Sequence, residues 1–176
     1  DMTDAQRNAA PETATEGKKI PGQVNIDIAD VTVPTITVYP PKGKNSGASI
    51  LVFPGGGFRI LAMGIEGTEI CDWISSKGIT CVLLKYRVPK GNHYWDNDCK
   101  CHITPPVPWA LQDAQRAIKL VRARANELHI DPHKIGVIGF SAGGYLVVQT
   151  SNIFEPTYKR VDPADDLSSR PDFAIA

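Results

Sequence analysis

Three short runs constrain this chain more than anything else in it: Ser49-Ile50-Leu51-Val52-Phe53, Ile79-Thr80-Cys81-Val82-Leu83-Leu84 and Ile135-Gly136-Val137-Ile138. None carries a charge, and none alternates apolar with polar residues. Strands that read this way are buried on both faces. Helical patterns lie between and after them. Glu66 to Lys77 places Ile70, Trp73 and Ile74 at helix spacing, with Gly78 positioned to stop the turn. Trp109 to His129 places Ala110, Ala114, Ala117, Ile118, Val121, Ala125 and Leu128 on one face. Ala142 to about Thr150 reads as a further helix, and Pro171 to Ala176 as the opening of another strand. The alternation predicts an α/β fold, a mostly parallel sheet flanked by helices on both faces. Right-handed crossovers then bring the carboxyl ends of the strands to one edge, where such sheets bind and react.

Ahead of this pattern the chain is less regular. Residues 1–20 are polar and aperiodic and are expected to form a mobile arm, leaving 21–176 as the domain. Val24 to Ile28 and Val31 to Tyr39 alternate in broken form. They are expected as two strands at one edge, a position that suits Pro34.

Gly139-Phe140-Ser141-Ala142-Gly143 follows the third apolar run and opens the last helix. A serine in G-x-S-x-G sits on a sharp strand-to-helix turn, with small flanking residues because the chain passes close by on either side. Such a turn lifts the Ser141 hydroxyl out at the reactive edge and aims helix amides at the same point. The bland alternative is a glycine-rich turn with an idle serine. Its setting between strand and helix argues for the nucleophile. Gly55-Gly56-Gly57 leaves the first apolar run at the same edge, where bare backbone can approach a substrate and donate amides to a negative oxygen.

Composition excludes some partners. Lys plus Arg and Asp plus Glu both number 19, and no basic run stands out, so no nucleic acid is expected. No apolar stretch is long enough to span a bilayer, so no membrane is expected, and no signal peptide is visible. Cys81 lies in an apolar strand and reads as a buried thiol. Cys99 and Cys101, with His102 and His93, do not show structural-zinc spacing, so a surface loop with free or bridged thiols is expected, with no metal and no cofactor.

The motifs in order carry a resemblance. Pro54 to Phe58, Lys85-Tyr86-Arg87-Val88-Pro89, Leu111 to Ala117, Ile130 to Val137 and Gly139 to Gly144 together resemble the esterase branch of the α/β-hydrolases. They are similar to the hormone-sensitive-lipase-like esterases, and most of all to bacterial carbohydrate esterases that deacetylate xylan or release ferulate. Pro54 stands where lipase-like relatives carry His, which favours the carbohydrate-esterase branch. The resemblance covers about residues 30–176. It implies Ser141 as nucleophile, the amides of Gly56, Gly57 and Ala142 as oxyanion hole, and a small acyl ester as substrate. It also implies an extracellular or periplasmic setting. Phe58, Arg59 and Tyr145 are expected to shape the pocket from adjacency alone.

The family's triad continues from serine to an acid and then a histidine, and neither has a counterpart in these residues. The chain therefore reads as the N-terminal part of an α/β-hydrolase fold, apparently truncated. His129 and His133 are expected at the edge opposite Ser141. His93 and His102 lie on the loop from Arg87 to Pro108, with Asp96 and Asp98, and are the in-chain candidates for the base. Asp113 reads as a carboxylate of a helix's first turn. An incomplete sheet is expected to leave apolar edges and to favour a homo-oligomer. The rival to an ester hydrolase is a catalytically impaired fragment serving as a binding or assembly module.

Overall fold

A computed structural model of the chain describes residues 11–17, 25–89, 95–96, 98–102 and 108–176. In chain order the strands and helices are β1 (Thr13–Glu16), β2 (Ile26–Ala29), β3 (Thr35–Tyr39), β4 (Ser49–Phe53), β5 (Ile60–Ala62), α1 (Glu69–Ser76), β6 (Thr80–Lys85), β7 (Trp95–Asp96), β8 (Cys101–His102), α2 (Pro108–Ala123), β9 (Ile135–Gly139), α3 (Ala142–Asn152) and β10 (Phe173–Ile175). A π-helical turn, Gly64–Thr68, leads into α1, and a 3-10 turn, Pro163–Asp166, lies between α3 and β10.

The three apolar runs are neighbours in one sheet of order β10-β9-β4-β6-β3. β10, β9, β4 and β6 are parallel, and β3 closes one edge antiparallel to β6. Leu51 of β4 faces Val82 on one side and Val137 on the other. Every residue of β4 is buried, and the side-chain period of two explains how. Leu51 and Phe53 point to the face covered by α2 and α3, packing with Ala114, Ile118, Val121 and Leu146. Ile50 and Val52 point to the opposite face, where Cys71 and Ile74 of α1 cover them. Both faces are filled, so the strand has no polar side to display.

Several elements depart from expectation. Thr13–Glu16, within the N-terminal arm, pair antiparallel with β2, and β2 pairs with β5, giving a second sheet. Of the two strands expected together at one edge, only β3 joins the main sheet. Asp30, at φ 57°, turns the chain between them, a conformation that Asp tolerates better than most residues. α2 stops at Ala123 rather than His129. Ala125 stays buried and Leu128 packs on the core, so the apolar stripe runs on while the backbone passes into turns. His129 ends that segment at φ 53°. Trp73, expected on the buried stripe of α1, is 61% exposed; its ring lies under the Lys77 ammonium at 5.6 Å.

Cys81 is not a thiol. It is bridged to Cys71, joining α1 to β6 with their Cα atoms 5.2 Å apart. Helix and strand are packed face to face, which brings the two residues within bridging distance; their spacing in sequence gives no sign of it. Cys99 is also disulfide-bonded, and a disulfide sulfur does not offer the thiolate that zinc binds.

Asp113 is not in the first turn of its helix. It is the sixth residue of α2, 6% exposed. Arg87 forks onto its carboxylate through Nε at 2.9 Å and Nη2 at 2.7 Å, and the Arg87 backbone amide adds a bond at 2.9 Å. Burial pushes the Asp113 carboxyl up, and the bonds from Arg87 work against that.

The connection from α3 to β10 is fastened across α2. Buried Gln115 donates to the carbonyls of Ile153 and Glu155 and accepts from the Thr157 amide, each at 3.0 Å. Arg116 pairs with Asp162 at 2.5 Å and Asp165 at 2.8 Å. Burial opposes the charge on Asp165, but the Tyr158 hydroxyl, the Val161 amide and Arg116 hold its carboxyl below the usual carboxylate range.

Candidate active site

Ser141 lies between the end of β9 and the start of α3, exposed, at φ 50° and ψ −112°. A residue with a side chain adopts that backbone only when its surroundings impose it. The surroundings here are absent side chains. A Cβ on Gly143 would stand 1.9 Å from the Phe53 carbonyl oxygen, and one on Gly139 would stand 2.2 Å from the Gly143 carbonyl oxygen. α3 therefore starts hard against the end of β4. The Phe140 amide donates to the Phe53 carbonyl at 3.2 Å, and the Gly143 amide to the Phe140 carbonyl at 2.7 Å.

The glycine loop leaves β4 at this same edge. A Cβ on Gly55 would lie 3.2 Å from the Ser141 Cβ and 2.6 Å from the Phe140 carbonyl oxygen. The loop thus passes directly beside the serine. Gly56 takes φ 125° and Gly57 φ 65°, values open to glycine and costly for other residues. The Gly56 carbonyl accepts the amides of Arg59 and Ile60, both at 3.1 Å, and the Gly55 carbonyl accepts that of Ala62 at 3.0 Å. The amides of Gly56, Gly57 and Ala142 meet no acceptor among the described residues.

Two side chains to which the sequence assigned no role reach this loop. The Gly55 amide donates to Glu66 Oε2 at 2.7 Å. The buried Tyr86 hydroxyl donates to the Pro54 carbonyl at 2.6 Å. Glu66 read only as the first residue of a helix; it stands instead in the π-helical turn before α1. Of the three residues expected to shape a pocket, Phe58 is 2% exposed and is a buried wedge. Its ring meets Tyr86 and Tyr145 edge to face, both at 6.1 Å. Tyr145 and Arg59 are exposed.

His129 and His133 stand away from Ser141, as expected. His129 and His133 flank Asp131, whose amide donates to the Gly47 carbonyl at 2.7 Å, ahead of β4 and so at the amino edge. His93 lies outside the described residues. His102 is on β8, opposite Trp95 of β7, and its side chain lies outside the described set, as does that of Asp96.

Comparison with known proteins places this geometry. The chain is 34% identical over 112 residues to an acetylxylan esterase of Xylanibacter ruminicola, a match covering 62% of this chain and 20% of that protein. It is similar to the crystal structure of an acetyl ester-xyloside bifunctional hydrolase from Caldicellulosiruptor lactoaceticus, at 37% identity and TM-score 0.64, over 81% of this chain and 47% of that one. A thermophilic esterase from Thermogutta terrifontis shares the fold at 24% identity and TM-score 0.61, over 96% of this chain and 54% of that one. The chain spans a fifth of the curated relative's length and about half of each of these solved structures. The family model described as BD-FAE matches residues 37–155, which take in both the glycine loop and the serine turn. With more than half of its length so matched, the chain belongs to the BD-FAE family and has an α/β-hydrolase fold.

Proposed function

We propose that the chain carries the nucleophile and oxyanion hole of a serine carboxylesterase acting on small acyl esters, acetyl groups on plant polysaccharide first among them. The observation that carries this is the contact of a strained, exposed Ser141 with the Gly55–Gly57 loop. The names of an acetylxylan esterase and an acetyl ester-xyloside hydrolase among its relatives support the acetyl group. Ser141 Oγ attacks the ester carbonyl, and its proton passes to a base. The amides of Gly56, Gly57 and Ala142 receive the negative oxygen of the tetrahedral intermediate. Collapse of the intermediate releases the alcohol and leaves an acyl-enzyme, which water then hydrolyses. The chain's own candidates for the base are His93 and His102. We further propose that the chain self-associates along the outer edge of β10, where Phe173 and Ile175 are exposed.

Turnover of p-nitrophenyl acetate and acetylated xylan, with fluorophosphonate labelling, tests the esterase reading. Labelling at Ser141 is expected, and Ser141→Ala should lower turnover by ~10³-fold or more. Unchanged turnover in that variant rejects the assignment. A chain that neither labels nor turns over supports the binding-module reading.

A further inference from the structure

Pro54 and Gly55 share one peptide group, and both of its polar ends are held by side chains. The carbonyl oxygen accepts from the Tyr86 hydroxyl at 2.6 Å, and the N–H donates to Glu66 Oε2 at 2.7 Å. The two side chains come from separate elements. Tyr86 directly follows β6, the strand beside β4, and is fully buried. Glu66 comes from the π-helical turn, in which the Thr68 amide reaches back five residues to the Met63 carbonyl at 2.8 Å. Turns of this kind are uncommon and gather at functional sites.

The loop needs such a hold. Three consecutive glycines set no direction of their own, because each can take many backbone conformations. Yet the amides of Gly56 and Gly57 must point at one place to serve an oxyanion, and donors help the reaction only when they are oriented beforehand. The hydrogen bonds to the Gly55 and Gly56 carbonyls fix the far side of the loop. The peptide plane where the loop leaves β4 is fixed by Glu66 and Tyr86.

We propose that Glu66 and Tyr86 are positioning residues that clamp the Pro54–Gly55 peptide and thereby aim the Gly56 and Gly57 amides at the reacting carbonyl. This rests on the reading of those amides as the oxyanion hole. A carboxylate is a strong acceptor for a backbone N–H. The clamp needs the acceptor rather than the charge, so glutamine can replace it. A residue that moved a proton in the reaction could not be replaced in that way.

The test is steady-state kinetics on p-nitrophenyl acetate for Glu66→Ala, Glu66→Gln and Tyr86→Phe beside Ser141→Ala, with fluorophosphonate labelling and thermal melts. Glu66→Ala is expected to lower kcat ~10–100-fold with KM changed less than ~3-fold, as for misplaced oxyanion donors. Glu66→Gln is expected to recover kcat to within ~5-fold of the parent. Tyr86→Phe keeps the ring against Phe58 and removes only the hydroxyl, so it should lower kcat at unchanged KM even if Glu66→Ala fails to fold. A Glu66→Gln variant as poor as Glu66→Ala overturns the clamp in favour of a proton-transfer role. Parent-like kcat in Tyr86→Phe overturns it as well. If Ser141→Ala remains active, the esterase reading fails and takes the clamp with it. If Ser141→Ala is inactive while the Glu66 and Tyr86 variants match the parent, the clamp alone fails.

Discussion

Ser141 keeps a backbone conformation that costs on the order of 1–3 kcal/mol, and it does so because Gly139 and Gly143 on either side of it lack side chains. Gly139 and Gly143 are obligatory for a steric reason, and the surroundings of each glycine separate the essential from the permissive. A Cβ at Gly143 would stand 1.9 Å from the Phe53 carbonyl oxygen, whereas one at Gly144 would meet nothing nearer than 3.5 Å. Gly143→Ala is therefore expected to push α3 off the end of β4, with a loss of ~1–3 kcal/mol or more and reduced labelling of Ser141. Gly144→Ala is expected to leave the melt and labelling near the parent or slightly improved, because alanine is the better helix former. Paired melts and labelling rates measure both. The G-x-S-x-G motif was legible because its geometry is local: strand, tight turn and helix adjoin in sequence. The contacts of Glu66 and Tyr86 with the glycine loop were not legible. Each meets the Pro54–Gly55 peptide only after the turn before α1 and the end of β6 have been packed beside β4.

At the scale of elements, the uniformly apolar strands could be read because burial on both faces leaves no polar position. The ends of elements were harder. α2 gives way to turns at Arg124 while Ala125 remains buried, so an apolar stripe outlasts the helix that produced it. The Cys71–Cys81 bridge belongs to this scale too, since it ties α1 to the strand it covers. Closing a loop with a sequence separation of 10 restricts the unfolded chain by roughly 2–3 kcal/mol in the chain-entropy account. Denaturant unfolding of a Cys71→Ala, Cys81→Ala double variant should show a loss of that order. The parent treated with reductant under unfolding conditions also loses the bridge of Cys99 and should show at least that loss.

For the whole molecule, the sheet has two unlike margins. β3 closes one of them antiparallel. Among the described residues β10 lies at the other, with Phe173 at 39% and Ile175 at 47% exposure. An exposed apolar edge strand is a template for pairing, so light scattering of the chain at micromolar concentration is expected to give a dimer or larger species. A clean monomer mass rejects self-association. The fold class, the parallel order of the apolar strands and the serine turn were determined by the sequence alone, because hydrophobic period and turn sterics act over a few residues. The second sheet, the Arg87–Asp113 pair, the disulfide and the grip of Glu66 and Tyr86 on one peptide were decided by tertiary structure. Each joins residues that only the packing of separate elements brings within bonding distance.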